Sequence, residues 1–312
     1  MLIVGSKSED DRLRALLSKT YQEDLKKLMK NDLIASVQEW LKKQPHLPQL
    51  NDEEVLTFLH SCYYSAEKAK ETIDNYFTFR TQAPEMFANR DPKKNLSNAF
   101  RTAYFILMPE ECKSYDNNII VILRLRDTDP AHANFPLEVK ACLALLDFLI
   151  ARFPLCNGLE VIMDMDGLTL THILKLDLSI LRKFMAYVQE ALPIRLKAVH
   201  ILNTFPLINQ IMAIMRPLIK ADLFSLLHFH TTADFDSFCE KYVPQDYLPE
   251  EYGGSQGKLE TFQEQTYNDI IAASDWLKEQ ECYKVNESKR MGKSKWSEMN
   301  GISGTFKKLE ID

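Results

Sequence analysis

Between Thr204 and Ile219 the chain reads Thr-Phe-Pro-Leu-Ile-Asn-Gln-Ile-Met-Ala-Ile-Met-Arg-Pro-Leu-Ile, and Arg216 is its one charged side chain. A helix apolar over most of its circumference must touch protein or ligand on more than one side, because a water-facing helix confines its apolar residues to a single stripe. Two short apolar segments precede the run, and each ends in polar turn residues: Gly158-Leu-Glu-Val-Ile-Met-Asp-Met-Asp-Gly167 and Lys197-Ala-Val-His-Ile-Leu-Asn203. Tyr247-Leu-Pro-Glu-Glu-Tyr-Gly-Gly254 follows it. Strand, strand, apolar helix in that order predicts a sheet covered by a movable apolar lid, with residues 158–254 as the centre that the rest supports.

The 312 residues allow one large or two modest domains. A net charge of −6 speaks against nucleic-acid binding, which runs on basic patches. The six cysteines form no C-x-x-C pair, so neither a zinc site nor a disulfide framework is signalled. No apolar run reaches about 18 residues without charge, and Met1–Val4 is too short for the core of a signal peptide. The expectation is a cytoplasmic protein with no cofactor, and nothing requires more than a monomer. The sequon Asn286-Glu-Ser288 stays bare without secretion.

Residues 7–81 read as helices. Tyr21 to Lys43 carries apolar residues every third or fourth position, including Leu25, Leu28, Met29, Leu33, Val37, Trp40 and Leu41. Asn51 reads as an N-cap, with Asp52, Glu53 and Glu54 favourable in the first turn. A further helix is predicted from Ser65 to Arg80. After about Pro92 the pattern changes. Tyr104–Met108 and Ile119–Leu125 are strand-like, and the polar segment 110–118 suits a hairpin connection. Helix is expected over Pro136–Phe153 and Ser179–Leu192, with strands at Leu159–Met163, Ala198–Leu202 and Leu223–Phe229. A short helix over Asp234–Tyr242 and a C-terminal helix from Lys258 to about Cys282 complete the list. Alternating strands and helices predict an α/β layer behind an all-α head.

Several chemical motifs fail on inspection. Asp164-Met-Asp166 at a strand end has the form of a magnesium-binding phosphatase motif, but Leu168 stands where threonine is needed. It reads as a strand-ending turn. Gly292-Lys-Ser294 lacks the upstream glycine and strand of a P-loop. His228 and His230 share one strand face as a metal pair would, without an apparent third ligand. No metal site and no catalytic residue is assigned.

Phe58-Leu59, Ala66 through Arg80, Pro84-Glu-Met-Phe87, the Asp-x-x-Gly strand end at Asp164–Gly167, Val199-His-Ile-Leu-Asn203, Pro217 and Leu248-Pro-x-Glu-Tyr-Gly-Gly254 stand in the order of the CRAL-TRIO family, which the chain resembles over residues 20–257. The ending Gly301–Asp312 is similar to the tail of insect members. The resemblance implies an all-helical N-terminal domain (1–92), an α/β lipid-binding domain (93–257) with a helical gate over an apolar cavity, and a C-terminal helix with a basic tail (258–312). That tail holds Lys284, Lys289, Arg290, Lys293, Lys295, Lys307 and Lys308.

From spacing alone a gate and a buried core helix stand level at residues 205–219; the resemblance favours the gate. It implies gate residues Phe205, Leu207, Met212, Ile214, Met215 and Leu218. It implies a ligand-binding cavity lined by Tyr104, Leu123, Leu143, Leu159, Val161, Met163, Phe184, Tyr187, Val188, Ile194, Val199, Ile208, Ile211 and Ile219. Some relatives also bind phosphoinositide head groups beside the gate. Arg195 and Lys197 keep two of the basic positions, and Arg216 and Lys220 compensate in part for His60-Ser61-Cys62, Asp222 and Leu226. This combination implies weak docking to anionic membranes. The function expected is a carrier that binds a tocopherol, retinoid, carotenoid, other isoprenoid or phospholipid and transfers it at membranes. The alternative is a trafficking or signalling adaptor that reads phosphoinositides.

Overall fold

The structure, a computed structural model, describes residues 32–292 and Trp296. The helix expected over residues 21–31, Lys293, Lys295, Lys307, Lys308 and the segment 301–312 lie outside the described residues.

Helix α1 (Asp32–Lys42) packs with α2 (Asp52–Ser61) and α3 (Ala66–Gln82). Asn51 caps α2: its side chain accepts from the Glu54 N–H at 2.9 Å, and Glu54 accepts from the Asn51 N–H at 2.8 Å. Both orphan donors of the first turn are thereby satisfied. Ser65 caps α3. Val37, Leu41, Val55, Leu56, Leu59, Ile73 and Phe79 of this unit are fully buried. One hydrophobic cluster runs from them into the α/β layer.

The joint between the two is ionic as well as apolar. Arg80 on α3 donates from both terminal nitrogens to Asp147 at 2.9 Å each, and Arg90 donates to the same carboxylate at 2.7 Å. All three side chains are buried. Burial pushes the Asp147 carboxyl up, but the two guanidiniums outweigh it and hold the group below the ordinary carboxylate range.

After α4 (Pro84–Phe87), a π-helical turn over Pro92–Leu96 and α5 (Ser97–Thr102), the chain enters a five-stranded sheet. The strands are β1 (Ala103–Leu107), β2 (Ile119–Leu125), β3 (Leu159–Asp164), β4 (Leu196–Leu202) and β5 (Leu227–Phe229), in that spatial order. β1 is antiparallel to β2, as the polar connection predicts, and the other pairs are parallel. The crossovers are α6 (Phe135–Arg152), then α7 (Leu170–Leu174) with α8 (Leu178–Glu190), then α9 (Ile208–Met215) with a 3-10 turn at Arg216–Leu218 and α10 (Ala221–Phe224). Each parallel step advances one strand in the same direction, so right-handed connections put these helices on one sheet face. The other face packs on α11 (Phe235–Lys241) and the start of α12 (Leu259–Ala272), through Ile106, Ile120, Ile122, Ile162, Phe238 and Phe262.

Two expectations need correction. Leu223 is helical rather than the start of a strand. Leu223 and Leu226, three positions apart, both join the cluster around Leu181 and Met185, which one helical turn allows and an alternating strand does not. The C-terminal helix also breaks at Ala273 into α12 and α13 (Ser274–Gln280), and the turn carries Leu277 into the main core.

Helix α12 also closes the sheet edge. Gln263 accepts from the Phe105 N–H at 2.8 Å and donates to Phe100 O and Ala103 O, while Thr266 accepts from the Leu107 N–H at 3.1 Å. Beyond α13 the chain returns to the helical unit, where Arg290 grips Asp74 with two hydrogen bonds and Trp296 donates to Asn75.

Candidate functional site

Strand alternation and register decide what each sheet face displays. One row runs Phe105, Leu123, Met163, Ile201, Phe229 across all five strands. The next runs Leu107, Val121, Val161, Val199, Leu227. Every member is apolar, and both rows face the crossover helices. On β1 and β2 they join the main core under α6. On β3 to β5 the cover thins: Met163 is 41% exposed and Phe229 40%, while Val161, Val199 and Leu227 are half-buried.

Helix α9 belongs to the crossover that follows this half of the sheet. Its sequence is Ile-Asn-Gln-Ile-Met-Ala-Ile-Met, yet no residue of it is buried. Ile214 and Met215 lean on Leu181 and Met185 of α8, with Leu218 and Ile219 beside them. Ile208, Ile211 and Met212 are half-buried and belong to no buried cluster among the described residues. The exposed apolar residues Leu170, Leu174 and Leu178 line the neighbouring β3–β4 crossover, and Phe205 begins the segment that carries α9. Leu174 is 70% exposed. An apolar trough thus opens at the carboxyl ends of β3, β4 and β5, where open α/β sheets place ligands.

The residues expected to line a cavity divide accordingly. Met163 and Val199 lie on the trough floor, Val161 stands half-buried where that floor meets the main core, and Ile208, Ile211 and Met212 lie on α9. Phe184 and Ile219 pack with the α8–α9 cluster, and Val188 is half-buried one turn along α8. Leu123 borders the main core, while Ile194 lines a small crevice with His60, Phe153, Cys156 and Arg195. Leu143, Leu159 and Tyr187 are core, each fully buried or nearly so. Tyr187 sits among Tyr76, Phe79 and Phe87 at the joint with the helical unit. Tyr104 is on the opposite sheet face: it pairs with Arg124, and its hydroxyl donates to Glu260 of α12 at 3.4 Å. Ile201, Leu227 and Phe229 complete the floor and were not expected; period-two counting from Val199 reaches Ile201.

Asp164 and Asp166 hold an arginine. Arg124 lies 3.1 Å from Asp164 and 2.5 Å from Asp166. Asp164 also accepts from Asn203 at 2.8 Å, from the Asp166 N–H at 2.9 Å and from the Tyr252 hydroxyl at 3.0 Å. Burial beside Asp164 keeps the Tyr252 phenol far above its ordinary pKa, so it remains a donor. Tyr252 comes from the Leu248–Gly254 motif. Gly253 there has φ +75°, and a Cβ on Gly254 would lie 1.8 Å from the Leu248 carbonyl oxygen. The motif therefore clamps the strand ends that bear the trough.

The basic residues form two groups. Arg195 lies over the Tyr63 ring at 4.3 Å and donates to His60 O at 2.8 Å, and Lys197 donates to the Tyr63 hydroxyl at 2.9 Å. Just beyond the C-terminal end of α9, Arg216 lies over the Phe224 ring at 5.2 Å and Lys220 pairs with Glu190.

Residues 113–254 match the CRAL/TRIO domain, and residues 25–96 match the Pinta-like, UBA domain. The chain is a CRAL/TRIO domain protein. Over 244 residues it is 28% identical to the alpha-tocopherol transfer protein-like protein of Mus musculus, covering 76% of this chain and 68% of that one. Clavesin-1 of Xenopus laevis is 26% identical over 230 residues, covering 71% and 67%. The crystal structure of Sfh5 superposes with a TM-score of 0.44 at 15% identity, over 75% of this chain and 91% of that chain. The helical region followed by a mixed CRAL/TRIO layer is the architecture expected from the sequence, and the family suggests a hydrophobic ligand. Among the described residues no helix is long and apolar enough to cross a membrane.

Proposed function

We propose that this CRAL/TRIO protein is an intracellular carrier that holds a hydrophobic small molecule between the floor of β3–β5 and helix α9, and exchanges it at membranes. One observation carries the reading: two apolar rows are left partly uncovered beside an apolar helix with no buried residue. Water would wet both surfaces at a cost that a hydrocarbon guest removes. Burying about 400 Å² of guest at ~25 cal/mol/Å² offers roughly 10 kcal/mol before ordering costs. Methionines Met163, Met212 and Met215 adapt to guests of irregular shape. The mouse relative's name points to tocopherol; retinoids, carotenoids, other isoprenoids and phospholipids meet the same physical requirement.

The test is native mass spectrometry of the full chain from its source tissue, followed by organic extraction. A stoichiometric isoprenoid or lipid is expected. A chain that stays empty when offered a panel of such lipids removes the carrier reading.

Exposed Leu170, Leu174 and Phe205 at the trough mouth supply apolar contact with a membrane, and the basic groups supply attraction to anionic lipid. Replacing Arg195 and Lys197 together with alanine is expected to slow transfer to phosphatidylserine-containing vesicles by up to about thirtyfold, since each nearby basic residue is worth about 1 kcal/mol at such a surface and about 1.4 kcal/mol is tenfold. The difference should vanish in high salt. Cargo occupancy should not change. Loss of vesicle recruitment in a chain that never carries cargo supports the phosphoinositide-reading adaptor instead, for which the Tyr63-centred pair Arg195 and Lys197 is the favouring observation.

A further inference from the structure

The sheet face turned away from the trough carries a cluster that cargo binding does not use. His200 on β4 is fully buried, and His228 of β5 stands opposite it with the two rings stacked at 5.1 Å. His230, one residue past β5, is buried as well, and its Nε2 lies 3.1 Å from His200 Nδ1. On the other side of His200, Nε2 lies 3.5 Å from Glu160 Oε2 on β3. Glu160 Oε1 accepts from Asn118 at 2.7 Å. Helix α11 closes the cluster with Phe238 and Tyr242, whose rings lie 5.1 and 4.4 Å from His200. The charged groups facing it are Lys241 on α11, Asp234 in the turn before α11, and Glu160.

In the neutral state one choice of tautomers serves these contacts: with His230 Nε2–H donating to His200 Nδ1, the His200 Nε2–H is turned toward Glu160 Oε2, 3.5 Å away and short of a hydrogen bond. One added proton still has Glu160 as its counter-charge. A second has none on the buried side, and it leaves two imidazoliums in contact, with ring nitrogens 3.1 Å apart in the case of His200 and His230.

The position of the cluster gives this a mechanical meaning. β5 is a three-residue edge strand. Beyond the parallel ladder that pairs Val199 to Ile201 with Leu227 to Phe229, three backbone bonds tie the flanks of β5 to β4 and its end: Val199 N–H to Leu226 O at 2.8 Å, His230 N–H to Ile201 O at 2.9 Å, and Thr204 N–H to His230 O at 3.0 Å. Thr204 opens the gate segment, and Leu226 is its last residue before β5. Thr232 adds a bond to Asn203 at 3.2 Å. Both ends of the segment from Thr204 to Leu226 are therefore anchored where the histidines stack.

We propose that His200, His228 and His230 form a proton-operated latch, in which uptake of a second proton separates β5 from β4 and frees the gate. The inference rests on reading residues 204–226 as the gate of a carrier. Burial pushes the His230 pKa down from 6.5 to about 4, and the neighbouring His200 and His228 push the same way. His228 is lowered too, first by burial and then by His200. A histidine depressed in the fold contributes stability above its unfolded pKa of 6.5 and loses it as pH falls toward 4, so the latch weakens across that window.

The test is hydrogen–deuterium exchange of the full chain at about pH 7 and about pH 4.5, corrected for intrinsic rates, near the two ends of that titration window. The amides of Val199, Thr204 and His230 are expected to lose protection by tenfold to a hundredfold, while those pairing β2 with β3 keep theirs. His230→Phe retains a ring that cannot titrate and should remove most of the pH dependence. If that variant does not fold, His228→Phe at the half-buried edge position should reduce it at least threefold. Unchanged protection in the wild type, equal loss in the folded variants, or simultaneous loss across the whole sheet overturns the latch. Release of pre-bound Nile red over the same range separates the two readings. Protection lost without dye release leaves the latch standing and counts against the gate; dye release without loss at β5 overturns the latch.

Discussion

Asp147→Asn is expected to lower the unfolding free energy of the full chain by about 3–5 kcal/mol, the range for breaking a buried ion pair by removing one partner. Among the described residues Asp147 is the one carboxylate between Arg80 and Arg90, and it accepts three hydrogen bonds from them. Its neutral replacement keeps the shape and leaves two buried guanidiniums without a counter-charge. The aromatic rings of Tyr76 and Phe87, 4.8 and 5.1 Å from the Arg80 guanidinium, offset only a part of that. Urea denaturation followed by far-UV circular dichroism measures the loss; a change below about 1 kcal/mol, the size of a surface ion pair, would show that the triad holds nothing together. The sign with pH follows from the lowered carboxyl: this contribution is present above about pH 4 and is lost as pH falls through the folded pKa.

Met163→Trp addresses the trough. Met163 stands in the middle of the row between Leu123 and Ile201, and its exposure leaves room for a larger side chain without displacing core. The indole would occupy the floor that a guest needs. Cargo occupancy is expected to fall at least tenfold, about 1.4 kcal/mol, with the melting temperature within a few degrees of wild type. Quantifying extracted lipid per mole of folded protein decides it. Undiminished occupancy would place the cargo elsewhere.

Much of the layer is legible in the sequence because its strands are buried runs of Ile, Val and Leu, and its long helices repeat every three or four residues. What the sequence does not display is which apolar residue is core and which is lining. Leu159 and Val161 sit two apart on one strand and one face, yet the first is sealed inside the main cluster and the second is only half-buried at its border with the trough. Tyr104 fails for a different reason: a nine-residue polar connection does not set hairpin register, and a shift of one position sends a side chain to the other face. Helix α7 is five residues long, too short for periodicity to register. The cluster of His200, His228 and His230 is half visible, since strand alternation puts the last two on one side. Only the β4–β5 pairing brings them against His200 and Glu160.

A protein with an open apolar trough carries a hazard that the closure of β1 by α12 answers. Unpaired strand edges are templates on which a second copy can extend a sheet. Gln263 and Thr266 occupy the Phe105 and Leu107 amides, so the long edge offers a newcomer no free donors at those positions. The opposite edge is three residues long. The molecule can therefore leave apolar surface uncovered, as the proposed carriage of a guest requires, while denying its own copies the backbone from which an aggregate would grow.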